Sequence, residues 1–352
     1  MYAPRLLLTV PLLATLGLTA ACGGASDVVG GPAAAAAISP ATSTAAPSTT
    51  PAFGGSLNLV AYSVVKSAFD KLIPAFQATD AGRGVQISAS YGASGDQSRK
   101  VESGLPADIV NFSLAPDVSR LVGDGLVDAG WANDGHNGIV STSVVTIVVR
   151  KGNPKGIHDW DDLVKDGVEV VTPNPLSSGS AKWNLLAPYA LKSNGGQDRA
   201  GGLDFVKQLI EHTKGQPKSG REATELFEQG TGDALLSYEN EAILTEATDP
   251  NIEHVTPPTT FRIENPFAVA AHTSNPAGAQ AFHDFLFSPA AQEIWASVGY
   301  RPVDSTVLAE HAAQFPNPEK VWSIGDLGGW DAVNKDLFDP TSGPIAQFYN
   351  GA

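Results

Sequence analysis

The sequence predicts an α/β protein of two lobes joined by two crossover strands. Three observations point there. Short apolar runs alternate with helical stretches of about 10 to 15 residues, the pattern of βαβ units on a parallel sheet. Gly- and Ser-rich turns follow several of these runs and open the next helix. The chain has 352 residues, and a folded body of roughly 300 suits two lobes better than one oversized core.

Taken in order, Leu57–Tyr62 reads as a short buried strand, and Ser67–Phe76 as a helix with Ala68, Leu72, Ile73 and Phe76 on one face. Val85–Ser90 alternates as a strand. Ala107–Asn111 is a third, followed by a helix through Leu121. Ser143–Arg150 is a β-branched run that ends in the turn Gly152-Asn153-Pro154. His158–Leu163 opens a helix, and Glu169–Thr172 is a strand broken by Pro173 and Pro175. Ala234–Tyr238 is another strand, while Ala277–Phe287 and Ala290–Ser297 read as helices. No internal repeat divides the body, so the lobes must be set by crossover strands, expected near residues 140–146 and 254–262. Lobe 1 is then 56–142 with 258–352, and lobe 2 is 143–257.

Residues 1–21 have the form of a signal peptide: a weakly positive start, then an apolar run from Leu6 to Thr19 too short to span a bilayer comfortably. The run ends in Thr19-Ala20-Ala21-Cys22, which resembles a lipobox, with Leu18 one place early and Thr19 in its slot. Cys22 is the only cysteine of the chain, so it has no disulfide partner and fits a lipid anchor. Residues 22–55 are mostly Ala, Gly, Pro, Ser and Thr and bury too little to repay their ordering, so they read as a disordered tether. These features predict a protein tied to the outer face of the cell membrane. Any translocation falls to partners.

The formal net charge of −15 argues against nucleic acid, whose phosphates need a basic stripe. It also means that an anionic ligand must be drawn in by local dipoles. Three turns offer such dipoles: Tyr91–Gln97, Thr172–Trp183 and Lys218–Arg221. Each follows a strand or extended segment and opens a helix, where the first N–H groups lack intrahelical partners and the dipole is positive. Small side chains let the backbone approach a ligand. Ser94 and Ser178 also serve as ordinary N-caps. His158, Asp159, Asp161 and Asp162 could suggest a metal cluster, but Asp159 or Asp161 fits a helix cap, and neither metal nor cofactor is expected. Ser94 and Ser178 are the candidate nucleophiles of a hydrolase, yet neither lies in G-x-S-x-G. Glu239-Asn240-Glu241, on a strand leaving Tyr238, reads as a hinge tether rather than a carboxylate pair, and Trp183 as packing beside the site. No catalysis is expected.

The run TPNPLSSGSAKWN, Thr172 to Asn184, resembles the signature of prokaryotic sulfate-binding proteins. Val148–Val170, Gly230–Ala242, Ser288–Asp304 and Leu327–Trp330 are similar to further stretches of that family. The resemblance implies a two-lobed periplasmic-binding-protein-like fold of type II, with a dehydrated sulfate in the cleft held by neutral donors. It implies a hydroxyl donor at Ser178, N–H donors at Gly179 and Ser180, and an N–H, with or without the hydroxyl, at Ser94. A further N–H is implied at Ser63, and another at Ser219 or Gly220, with Gly220 favoured. Tyr238 stands where the family has a Trp donor. Leu176 and Lys182 stand where it has a lysine and an arginine, and these departures leave thiosulfate, molybdate, tungstate and phosphate as alternative ligands. The implied partners are an ABC permease with its cytoplasmic ATPase, and the chain is expected to be a monomer. A sensor or adhesin built on the same fold would lack that permease.

Overall fold

The computed structural model describes residues 54–350. The expected signal peptide, Cys22 and nearly all of the expected tether lie outside the described residues. The strands are β1 (Gly55–Tyr62), β2 (Val85–Gly92), β3 (Ile109–Asn111), β4 (Ile139–Arg150), β5 (Val170–Val171), β6 (Thr213–Gly215), β7 (Ala234–Tyr238), β8 (Ile252–Val255), β9 (Thr259–Val269) and β10 (Lys320–Trp322). The helices of the first part are α1 (Lys66–Gln77), α2 (Ser94–Glu102), α3 (Ala115–Gly123), α4 (Gly179–Lys192), α5 (Arg199–Glu211), α6 (Gly220–Glu228) and α7 (Glu239–Thr248). Five more follow: α8 (Pro276–Leu286), α9 (Pro289–Ser297), α10 (Ser305–Glu310), α11 (Trp330–Val333) and α12 (Pro344–Asn350).

The strands pair in the order β2-β1-β3-β9-β4-β7-β5-β6, with β8 on β4 and β10 on β9. Two half-sheets meet at the β4–β9 pair. In the first half, β1 runs parallel to β2 and β3, and only Phe267–Val269 of β9 joins them, antiparallel to β3. In the second half, β7 runs parallel to β5 and antiparallel to Val145–Val149 of β4. Ile139–Val144 of β4 pairs with Arg262–Pro266 of β9. Both strands thus belong to both halves. The stretch 140–146 expected for the first crossover lies within β4, and β9 starts at Thr259, inside the stretch expected for the second, and continues to Val269. The apolar residues Phe261, Ile263 and Phe267 are fully buried along it, which carries the strand through the join without a break.

The parallel pairing expected from the βαβ pattern runs through β1, β2 and β3 and through β5, β6 and β7, and the antiparallel pairs arise where β4 and β9 return the chain between the halves in opposite senses. A difference from expectation concerns the end of the chain. Residues 270–310 pack on the first half, with Phe76 against Phe282 at 4.9 Å between ring centroids and Phe69 against Trp295 at 5.9 Å. Residues from Lys320 onward, expected with lobe 1, instead lie on α4 and α5. Trp330 meets Trp183 edge-on at 4.7 Å, and the Arg199 guanidinium donates to the Asp336 carbonyl at 3.0 Å.

The helix expected from His158 is a short 3-10 turn, Trp160–Val164. Asp159 caps it by accepting from the Trp160 N–H, and Asp162 accepts from the His158 and Asp159 N–H groups. Asp161 pairs with Lys192. These acids are consumed by capping and by an ion pair. Pro116, Pro276 and Pro289 sit in the first turns of α3, α8 and α9, where a missing N–H costs nothing.

Candidate oxyanion cleft

Four helices, counting α3, begin at the join. Helix α2 opens at Ser94 straight after β2, α4 at Gly179 after β5, and α6 at Gly220 after β6. Their starts meet. The Gly95 N–H donates to the Ser177 carbonyl at 3.1 Å, which ties the mouth of α2 to that of α4. A Cβ placed on Gly179 would sit 2.7 Å from the Cβ and Oγ of Ser113, and one on Gly220 would sit 3.0 Å from Ser180 Oγ and Val64 Cγ2. Glycine at these positions lets three backbone segments approach more closely than any side chain allows.

At each mouth some N–H groups are already used. Ala181 N–H donates to Ser178 Oγ at 3.4 Å, and Glu222 N–H to Ser219 Oγ at 3.3 Å. That leaves the N–H groups of Ser94, Gly179, Ser180 and Gly220 without a protein acceptor among the described residues. Ser63 opens the short 3-10 turn after β1, and its neighbour Val64 packs against Gly220. Ser63, Ser94, Ser178, Gly179, Ser180, Ser219 and Gly220 therefore gather at one place. Ser219 differs from Gly220 in role: its side chain is the N-cap of α6, while Gly220 is the first helical residue.

The two key hydroxyls differ as well. Ser178 is 2% exposed. As an N-cap it accepts through oxygen, so its own proton remains available to donate. Ser94, equally buried at 2%, donates to Asp117 Oδ2 at 2.6 Å and accepts from the Ser113 N–H at 2.9 Å. Its hydroxyl is engaged, and only its N–H remains for a ligand. The carboxylate bonded to Ser94 is Asp117, while Asp96, two places after Ser94, pairs with Arg99. Asp117 Oδ1 takes Arg120 Nη1 at 3.3 Å, so both of its oxygens are occupied.

Ser113 is the residue that the sequence reading does not single out. It is fully buried and joins three elements: its Oγ is 2.6 Å from Tyr238 Oη, its N–H reaches Ser94, and its carbonyl accepts from Trp183 Nε1 at 2.9 Å. The one signal that could have found it is Ser113-Leu114-Ala115-Pro116-Asp117, another strand-to-helix turn with a proline in the first helical turn. Tyr238 ends β7 and stands just before α7. Its ring is tilted against Tyr62 at 6.5 Å, and burial holds its phenol well above the usual tyrosine range. It stays protonated and can donate.

Glu239-Asn240-Glu241 proves to be the first turn of α7, not a continuing strand. Glu239 accepts two bonds from the Arg301 guanidinium, at 2.7 and 2.9 Å, and the Arg301 backbone bridges to Thr142 of β4. The carboxylate therefore fastens α7 to the crossover. The Trp183 indole is committed to Ser113, as packing beside the cleft requires.

A sequence model of bacterial extracellular solute-binding proteins matches residues 57–301. The chain belongs to that family. The fold is the two-lobed periplasmic-binding-protein-like one, with the cleft between lobes joined by β4 and β9. The solved sulfate-binding protein SubI from Mycobacterium tuberculosis is 57% identical, with a TM-score of 0.80 over 81% of this chain and 100% of that one. The sulfate-binding protein of Synechococcus elongatus is 38% identical over 80% of this chain and 83% of its own length. A thiosulfate-binding protein of Pseudomonas aeruginosa is 36% identical over 79% and 88%.

Proposed function

We propose that this chain captures sulfate outside the cytoplasm and delivers it to an ABC permease driven by a cytoplasmic ATPase, without catalysis. One observation carries the reading. The free N–H groups of Ser94, Gly179, Ser180 and Gly220 converge with the Ser178 hydroxyl and the Tyr238 phenol at the meeting of three helix starts. Ser63 completes this donor set in the reading, and Ser219 serves it as the cap of α6. Donors to a charged acceptor contribute on the order of 1.5–3 kcal/mol each. About seven, less the cost of association, match the roughly −8 kcal/mol of micromolar binding. The similarity to SubI and to the Synechococcus protein supports sulfate as the ligand.

Selectivity follows from protons. Sulfate carries none at neutral pH and needs only donors, whereas phosphate carries at least one and needs an acceptor. Asp117, the carboxylate bonded to Ser94, is already engaged as an acceptor by the Ser94 hydroxyl and Arg120, and the donors assembled around it favour the fully ionised anion. Lobe 1, residues 56–142 with 258 to about 319, would close on lobe 2, residues 143–257 with the C-terminal segment, when the ligand adds contacts from α4 and α6. Cys22 would carry the lipid that holds the protein at the membrane.

Calorimetric titration of sulfate at pH 5.5 and pH 8, with phosphate as the control, tests the proposal. Sulfate should bind at both values with little change, and phosphate should be silent. Absence of sulfate binding at both would reject it and direct attention to thiosulfate and molybdate.

A further inference from the structure

The donor set is electrically neutral, yet the chain carries a net charge of −15, so a dianion approaches against the field of the whole protein. One cavity beside the cleft opposes that field. It has a volume of about 310 Å³ and is walled by Arg99, Arg120, Lys182 and Lys335, with Asp117 and Asp339 as its acids. The four cations come from four separate elements: α2, α3, the first turn of α4, and the C-terminal segment.

Both acids are already engaged. Asp117 holds Ser94 and Arg120, and Asp339 Oδ1 accepts from the Thr341 and Ser342 N–H groups and the Ser342 hydroxyl. Arg99 pairs with Asp96 and also reaches across to the Leu176 carbonyl at 3.4 Å. Lys182 and Lys335 form no ion pair with a carboxylate among the described residues. Instead, Lys182 donates to Asn334 Oδ1 at 2.7 Å and lies 5.1 Å from the centre of the Phe338 ring. Burial brings its ammonium down to about 8, which leaves it charged at neutral pH. A desolvated cation without a carboxylate is costly, and its place here suits an anion that comes and goes.

The cavity shares its wall with the cleft. Asp117 binds the first residue of α2, Leu176 lies two places before Ser178, and Lys182 lies two places after Ser180. We propose that this cavity is the capture site for the incoming dianion. Lys182 and Lys335, which pair with no carboxylate among the described residues, draw the oxyanion from bulk solvent and hold it at the rim until the backbone donors of α2 and α4 take it. This inference rests on the oxyanion reading of the cleft.

Stopped-flow tryptophan fluorescence across a series of salt concentrations, reporting sulfate association and dissociation separately, tests it. The variants are Lys335→Gln, whose side chain is exposed, the double variant Lys182→Met with Lys335→Gln, and the control Lys207→Gln on α5. The double variant should associate about three- to tenfold more slowly at low salt, lose most of its salt dependence and dissociate at the parental rate. Lys335→Gln alone should show a smaller loss of the same kind, and it keeps the test valid if the double variant folds poorly. Unchanged association, or a loss confined to dissociation, would overturn the capture site alone. A parent protein that binds no sulfate would remove the cleft reading and the capture site together.

Discussion

Ser94 and Ser178 stand at the starts of two helices that touch across the cleft, and both are buried to 2% exposure. In sequence they look alike. In the structure Ser94 is the first helical residue and commits its hydroxyl to Asp117 and Ser113, while Ser178 is a cap whose hydroxyl proton is free. The difference teaches how a donor-only site is assembled. One lobe uses its serine hydroxyl to fix the frame, and the other leaves its serine hydroxyl free to donate.

The largest break in this comparison should come from Gly179→Ala. The added Cβ would fall 2.7 Å from Ser113 Cβ and 2.8 Å from Leu114 Cγ, so the mouths of α3 and α4 could no longer meet. Sulfate affinity should drop by roughly 100-fold or more, because the closed state carries the clash and the open state does not. Calorimetry alongside thermal melting of the ligand-free protein separates these states. Undiminished affinity would mean that α4 and Ser113 do not meet in the bound form.

Next in size is Ser178→Ala, which deletes one donor to a charged acceptor. Affinity should fall about tenfold or more, with little effect on folding, since the cap bond to Ala181 is long at 3.4 Å. Ser94→Ala should invert that pattern. Its N–H remains, so affinity falls only a few-fold, but Asp117 and the Ser113 N–H lose a buried partner, at a cost of about 1–3 kcal/mol in stability. Chemical denaturation of both variants, compared with their sulfate titrations, reads the two effects. Equal losses in affinity for both would erase the division of labour proposed for the two serines.

Much of the architecture is legible in the amino-acid sequence. Strand-turn-helix punctuation locates β1, β2, β7 and the starts of α2, α4 and α6, because glycine, serine and proline act locally. The eight donor candidates come from the family motif, and the fold gathers them at one cleft. What sequence does not supply is the use of each hydroxyl. Ser113 is marked in sequence only by its strand-to-helix turn, and its importance comes from lying between Ser94, Tyr238 and Trp183, which are far from it in sequence. Asp96 follows Ser94 closely in sequence, but it is Asp117, 23 residues on, that the fold brings to the Ser94 hydroxyl. The C-terminal segment reads as part of the wrong half because its anchor, Trp330 on Trp183, is a tertiary contact. Residues in the first turn of α7 read as strand because the buried run Ala234–Tyr238 ends without a proline or glycine to mark the change.

The smallest expected effect lies at Lys182 and concerns stability. Burial lowers its ammonium from 10.5 to about 8, with Asp117 opposing the shift and Arg120 and Arg99 adding to it. Between about 8 and 10.5 the unfolded chain therefore binds more protons than the folded one, and this lysine makes stability rise with pH in that window. Below it the cost of the buried cation is present in full. Lys182→Met should accordingly melt higher than the parent at pH 7, and the advantage should shrink towards pH 10. Paired melting curves at the two pH values give the difference directly, with other titrating groups common to both proteins. An advantage that stays constant with pH would show that the methionine acts by packing alone against Phe338, and that the lysine carries no uncompensated charge.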